Sequence, residues 1–132
     1  MGTTGSSDRC MEAVTFPATP SAIRRARHHL LAFLAADDVA EEACATAGLL
    51  ASELATNAVM HAGTDFTLAA DVGRESLRVE VRDGSTELPE VRRPVAGAVG
   101  GRGLHLVQEL SSGWGTDVEG RGKRVWFELG RR

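Results

Sequence analysis

Two neighbouring segments in the middle of the chain alternate apolar and polar residues with a period of two. They cover residues 66–72 and 77–82, and residues 73–76 between them are typical of a turn. This pattern predicts an antiparallel β-hairpin. The apolar residues of the second segment are Leu77, Val79 and Val81, and charged residues separate them. One face of the predicted sheet is therefore covered by other elements and the other faces water, which favours a two-layer fold.

Two helices are predicted before the hairpin. The first covers residues 20–36, because the proline of Thr19-Pro20 is tolerated in the first turn of a helix. The second runs from Val39 or Glu41 to His61, and its acidic first turn suits the helix dipole. Their apolar stripes consist of Ile23, Ala26, Leu30, Phe33 and Leu34 in the first helix and Ala43, Ala47, Leu50, Leu54 and Ala58 in the second.

The remaining elements complete the predicted architecture. A short strand covers residues 13–16, and strands at residues 114–119 and 124–129 are joined by a glycine-containing turn. A short third helix carries Leu104, Leu106, Val107 and Leu110. The sequence thus predicts a two-layer α/β sandwich: a mixed, mostly antiparallel sheet of about five strands with three helices on one face.

The length of 132 residues is typical of one domain. The glycine-, serine- and threonine-rich start predicts a disordered tail over residues 1–10, followed by a single domain over residues 11–132. A hydrophobic content of 42% and a charged content of 25% are ordinary for a soluble globular protein.

Charge and cysteine content exclude several classes of protein. The formal net charge of −3 argues against direct binding to nucleic acid or to a membrane surface, and no apolar run is long enough to span a membrane. Cys10 and Cys44 lack metal-site or redox spacing, which favours reduced thiols and a cytoplasmic protein. The basic face of the first helix is either a solvated surface or a docking face for a partner.

Glu53 and Asn57 form the first of three candidate motifs. They are four residues apart in the second helix and project from one face about one turn apart. This is the arrangement that a general base and a metal-positioning amide require. A solvated helix face produces the same pattern, so this motif alone is weak.

The other two motifs lie at element boundaries. Asp83-Gly84 ends the second strand of the hairpin, where the Asp83 side chain can point inward. In Gly101-Arg102-Gly103-Leu104, the pair of Gly101 and Gly103 directly precedes an apolar helix, where free backbone N–H groups and the helix dipole can receive phosphate. The proline- and glycine-containing residues 87–100 between them predict a mobile lid. The three motifs together indicate a nucleotide site.

With these motifs, the chain resembles the GHKL ATPase superfamily and, within it, the anti-sigma-factor serine-kinase branch. The resemblance extends from about residue 14 to residue 129 and includes residues 50–53, 57–62 and 122–129. It implies the Bergerat ATP-binding fold. At this length we expect neither the phosphoacceptor helices of a sensor histidine kinase nor the extra domains of the larger superfamily members.

The resemblance also implies residue roles. Glu53 corresponds to the general base and Asn57 to the Mg²⁺ ligand, while Asp83 corresponds to the partner of the adenine amino group. The glycines Gly101 and Gly103 correspond to the lid hinge and a phosphate contact, with Arg102 beside them. ATP and Mg²⁺ are the implied cofactors.

The function that follows is transfer of the ATP γ-phosphate to a serine or threonine of a protein partner. The resemblance implies an anti-anti-sigma protein of the STAS type as substrate, a sigma factor as a further partner, and a homodimer. The alternative is a catalytically silent nucleotide-binding module that sequesters a sigma factor or another protein. One departure affects adenine binding: Lys123 and Arg124 replace the hydroxyl residue often found before the last strand.

Overall fold

In the part of the chain that the structure describes, five strands form one sheet and three helices pack on one of its faces. The computed structural model describes residues 7–85 and 103–132. The strands are β1 (Ser7–Phe16), β2 (Phe66–Gly73), β3 (Ser76–Asp83), β4 (Gly113–Glu119) and β5 (Gly122–Gly130). The helices are α1 (Pro20–Ala36), α2 (Glu41–Thr56) and α3 (Gly103–Leu110). The predicted two-layer α/β sandwich is confirmed.

The sheet order is β1-β2-β3-β5-β4, and every pair of neighbouring strands in the described part is antiparallel. The prediction of a mixed sheet is therefore wrong for these residues. The reason is the position of β5, which inserts between β3 and β4 and runs opposite to both. This insertion pairs residues that are far apart in the sequence, including Asp83 with Lys123.

The first strand is longer than predicted. β1 begins at Ser7, and Cys10 pairs with Asp71 of β2. The predicted tail is therefore too long at its C-terminal end, because residues 7–10 take part in the sheet; residues 1–6 lie outside the described residues. Polar residues on an edge strand carry little apolar alternation, so the sequence pattern did not reveal this extension.

The helix α1 has the predicted bounds. Thr19 is extended with φ −129° and ψ 149°, and Pro20 begins the helix, where its missing N–H is not needed. Ala22, Ala26, Leu30, Phe33 and Leu34 are buried, whereas Ile23 of the predicted stripe is only partly buried.

The helix α2 continues into a different helical form. After Thr56, residues Asn57–Ala62 form a π-helical turn, and the N–H of Gly63 bonds to the carbonyl of Ala58 at 2.8 Å. Gly63 then ends the turn with φ 68°, a left-handed conformation that glycine adopts without strain. The end at Ala62-Gly63 is as predicted, but the last six residues are not α-helical. Isolated π-turns of this kind are frequent at functional sites.

The two faces of the sheet differ in chemistry. The helix side is filled by a buried apolar core that includes Phe66, Leu68, Val79 and Phe127. The open side carries ion pairs, one within β3 (Arg78–Glu80) and three between strands (Arg78–Glu128, Arg82–Glu119 and Arg124–Asp117). Trp126 lies on this open side with the Arg78 guanidinium 4.0 Å from its ring centroid. No helix of the described residues is long and apolar enough to cross a membrane.

Candidate nucleotide site

The end of β3 holds a carboxylate under the helical layer. Asp83 follows Val81 by two residues and lies on the same side of the strand, and its side chain is only 5% exposed. The backbone N–H of Ser85 donates to Oδ1 of Asp83 at 2.8 Å, which fixes the carboxylate in a local turn. The inward orientation predicted from the strand alternation is confirmed.

Lys123 is the partner of this carboxylate. Its Nζ lies 3.0 Å from Oδ1 and 2.8 Å from Oδ2 of Asp83, and the lysine side chain is 8% exposed. The two residues are direct cross-strand neighbours of β3 and β5. The sequence identified Lys123 as a departure from the family pattern, but it did not predict this ion pair.

Arg124 belongs to the opposite face of the sheet. Its guanidinium bonds to Asp117 at 2.8 Å, and this hydrogen bond raises the pKa of Arg124 above its usual range. Successive residues of a strand point to opposite faces, so Lys123 and Arg124 cannot both face the site. Of the two residues that replace the usual hydroxyl, Lys123 faces Asp83.

Glu53 and Asn57 lie where α2 ends. Glu53 is in the last α-helical turn, and Asn57 begins the π-helical turn while its N–H still bonds to the carbonyl of Glu53. The two side chains therefore project from one face about 6 Å apart along the helix axis. Both residues are half-buried, so each is partly accessible to solvent. The helix packs against α3 and β3, which bounds this side of the site.

Thr64 connects the two halves of the site. Its backbone N–H bonds to the carbonyl of Ala58 at 3.3 Å, and its Oγ1 accepts the N–H of Gly84 at 2.9 Å. The residue thus joins the end of the π-helical turn to the Asp83-Gly84 turn. Sequence reasoning missed Thr64, because a single threonine after a helix-ending glycine carries no specific signal.

The phosphate motif is described only in part. Gly103, which the sequence predicted to precede the helix, is the first residue of α3, and Leu104 is buried in the core at 3% exposure. Leu104 is thus a packing residue that fixes the start of the helix. Gly101, Arg102 and the predicted lid at residues 87–100 lie outside the described residues.

The chemistry of the described site is that of an acceptor and donors for a polar ligand. Asp83 and Lys123 form one end, and Glu53 and Asn57 lie on the helix that bounds it. Among residues 7–85 and 103–132, no three His, Cys, Asp or Glu side chains are grouped to bind a metal ion. A divalent cation here would need ligands from a bound phosphate as well as from Asn57.

The family model for the histidine kinase-like ATPase domain matches residues 16–129. The chain belongs to this ATPase family. Family membership implies ATP binding, and it confirms the superfamily that the three motifs indicated. The matched range includes every residue of the candidate site. Among curated proteins, no sequence matches the chain.

Two solved structures share the histidine kinase-like ATPase fold. One contains the RsbU and RsbW domains of Rv1364c from Mycobacterium tuberculosis, with a TM-score of 0.71 and 20% identity over 93% of this chain. The other is the histidine kinase domain of a blue-light activated histidine kinase from Erythrobacter litoralis EL346, with a TM-score of 0.52 and 21% identity over 98% of this chain. The chain spans 32% of the first protein and 66% of the second.

Proposed function

We propose that this ATPase-family chain is a serine/threonine protein kinase that acts on a regulatory protein partner. The observation that carries the proposal is the pair of Glu53 and Asn57, one helical turn apart at the end of α2, on the helix that packs against β3, the strand that ends in the inward carboxylate of Asp83. Phosphoryl transfer from ATP requires a general base, an amide that holds a cation, and a hydrogen-bond acceptor that binds adenine.

Each residue has a defined part in the reaction. Glu53 accepts the proton of the partner's hydroxyl as that oxygen bonds to the γ-phosphorus, and the bond from the γ-phosphorus to the bridging oxygen breaks to leave ADP. Asn57 would hold Mg²⁺ through its amide oxygen. Asp83 accepts a hydrogen bond from the adenine amino group. The phosphates contact Gly101, Arg102 and Gly103. Mg²⁺ supplies neutralisation of the charge on the transferring group.

The partners follow from the resemblance and are part of the proposal. The substrate is an anti-anti-sigma protein of the STAS type, and a sigma factor is the protein that the kinase sequesters. The structural similarity to a protein with an RsbW domain supports a regulatory setting of this kind. A homodimer and a cytoplasmic location complete the proposal.

The test is transfer of label from γ-³²P-ATP to purified STAS-type proteins encoded in the same genome, with Mg²⁺ present. Glu53→Gln should slow the transfer about 10²- to 10⁴-fold, the usual contribution of a positioned base. The same substitution should leave ATP binding unchanged or slightly tighter, because a negative charge near the phosphates is removed.

Glu42→Gln is the matched control. It makes the same change in the exposed first turn of α2, eleven residues or about 16 Å from Glu53 along the helix. It should transfer label at the wild-type rate. If the wild type binds ATP and a partner but labels none, the silent nucleotide-binding module replaces the kinase.

A further inference from the structure

The Asp83–Lys123 ion pair is unusual in its burial. Among the described residues, Lys123 is the one polar or charged residue that is buried as a whole. The carboxylate beside it is 5% exposed, so water screens the pair weakly. The two charges are also held bidentately, with Nζ at 3.0 and 2.8 Å from the two carboxylate oxygens.

Within the described residues, the Asp83 carboxylate and the Lys123 ammonium do not use all the hydrogen bonds that they can form. Oδ1 of Asp83 accepts both the Ser85 N–H and the Lys123 ammonium, whereas Oδ2 accepts the ammonium alone. A carboxylate oxygen accepts about two hydrogen bonds, and an ammonium group donates three. Within residues 7–85 and 103–132, one acceptor position on Oδ2 and one N–H of Lys123 therefore remain for a ligand.

A bound base cannot easily displace the lysine. A neutral amino group forms a weaker hydrogen bond to a carboxylate than an ammonium group does. Separation of the pair would also leave Lys123 as a buried charge without its partner, which is strongly unfavourable. The ion pair therefore stays intact when a base enters, and the base binds to the remaining acceptor and donor.

Adenine has the complementary edge. Its exocyclic amino group is a donor, and the adjacent ring nitrogen N1 is an acceptor. Guanine and hypoxanthine have a carbonyl oxygen and a ring N–H at the same two positions. In the same pose, these bases would place the carbonyl oxygen against the Asp83 carboxylate and the ring N–H against the Lys123 ammonium. Both contacts are repulsive.

We propose that Lys123 is a specificity-determining residue that donates a hydrogen bond directly to N1 of adenine, while the adenine amino group donates to Asp83. This inference rests on the proposed binding of ATP at Asp83. In this proposal, a lysine recognises the ring nitrogen. A hydroxyl residue and a water molecule would otherwise share that role.

The experiment compares ATP with 1-deaza-ATP, in which C–H replaces N1, by isothermal titration calorimetry with Mg²⁺ present. The wild type should bind 1-deaza-ATP about 10- to 100-fold more weakly, because a charge-assisted hydrogen bond is lost. In Lys123→Met the two nucleotides should bind within about twofold of each other, since the donor is gone. The wild-type comparison needs no variant and does not depend on how Lys123→Met folds.

Arg124→Met is the matched control. It removes one positive charge from the next residue of β5, whose guanidinium bonds to Asp117 on the other face of the sheet. It should keep the wild-type ratio of the two affinities. If the loss of one positive charge were the whole effect, Lys123→Met and Arg124→Met would change the ratio of the two affinities alike.

Three results would overturn the inference while ATP binding itself stands. They are equal affinity of the wild type for both nucleotides, retained discrimination in Lys123→Met, and tighter ATP binding by Lys123→Met, which would make the lysine a barrier to the base. Failure of the wild type to bind ATP at all would overturn the proposed function and the inference together.

Discussion

Gly122 stands where β5 passes closest to Asp83. A Cβ at this position would overlap the backbone carbonyl oxygen of Asp83 and lie 3.5 Å from the Cα of Gly84. The neighbour is backbone rather than a flexible side chain, so it cannot rotate away. The position of the carboxylate that we assign to the adenine base thus depends on the missing side chain of a residue on another strand.

Gly122→Ala should therefore move the Asp83-Gly84 turn and weaken the sheet. We expect a loss of about 1–3 kcal/mol in the free energy of unfolding, the usual cost of overpacking, measured by urea denaturation. Gly130→Ala is the control, because a Cβ at Gly130, at the other end of β5, meets no atom within 4 Å. Equal stability of the two variants would contradict the close approach.

Strand alternation in the sequence was enough to predict which way Asp83 points, but not what it binds. The same alternation places Lys123 on the side of Val125 and Phe127, and this signal was present in the sequence. The ion pair itself depends on the register between β3 and β5, whose partners are 40 residues apart. Neither local propensity nor spacing encodes that register. The contact between Thr64 and Gly84 was missed because it joins residues 20 apart and a single threonine carries no specific signal.

At the scale of elements, the predictions succeeded where a local rule decides the structure. Pro20 and the apolar stripe of α1 fix both ends of that helix. The π-helical turn after Thr56 could not be predicted, because π- and α-turns use the same residue types and differ by one residue in their hydrogen bonds. Residues 7–10 join β1 through backbone pairing with β2. Their sequence shows no apolar alternation, so it did not predict a strand there.

Arg131 ties together elements that are distant in the chain. Its guanidinium donates to the carbonyl of Gly73, the last residue of β2, at 2.8 Å and to the carbonyl of Asp37, after α1, at 2.7 Å. Arg131→Ala should lower the free energy of unfolding by about 1.5–3 kcal/mol, the range for a hydrogen bond to a charged group.

Thermal and urea denaturation can measure this loss. The exposed neighbour Arg132 is the control, since Arg132→Ala removes the same charge and should change stability by less than about 0.5 kcal/mol. If both variants were equally stable, the hydrogen bonds of Arg131 would contribute nothing measurable to the link between α1 and the hairpin.

In the whole molecule, the sheet order determines which motifs can meet. Because β5 inserts beside β3, the turn after β3 lies next to the start of β5, and α2 packs against both strands. Asp83 and Lys123, which we assign to the ligand, also pair across β3 and β5. Ligand binding and global stability should therefore be linked, since a ligand that binds only the native state shifts the unfolding equilibrium.

Mg-ATP at about 100 times its dissociation constant should stabilise the native state by about 2.7 kcal/mol. For a domain of this size, that corresponds to a rise of about 8–13 °C in Tm, measurable by differential scanning fluorimetry.

Asp83→Asn should abolish most of the rise, because an amide presents donors where the adenine amino group needs an acceptor. Each variant must be compared with its own ligand-free Tm, since Asp83→Asn also weakens the contact with Lys123. Asp71→Asn makes the same substitution in β2, where Asp71 pairs with Cys10 of β1 toward the other end of the sheet, and should keep the full rise. A wild-type Tm that does not move at millimolar Mg-ATP would contradict nucleotide binding by this chain, whereas a full rise in Asp83→Asn would place the adenine elsewhere in the fold.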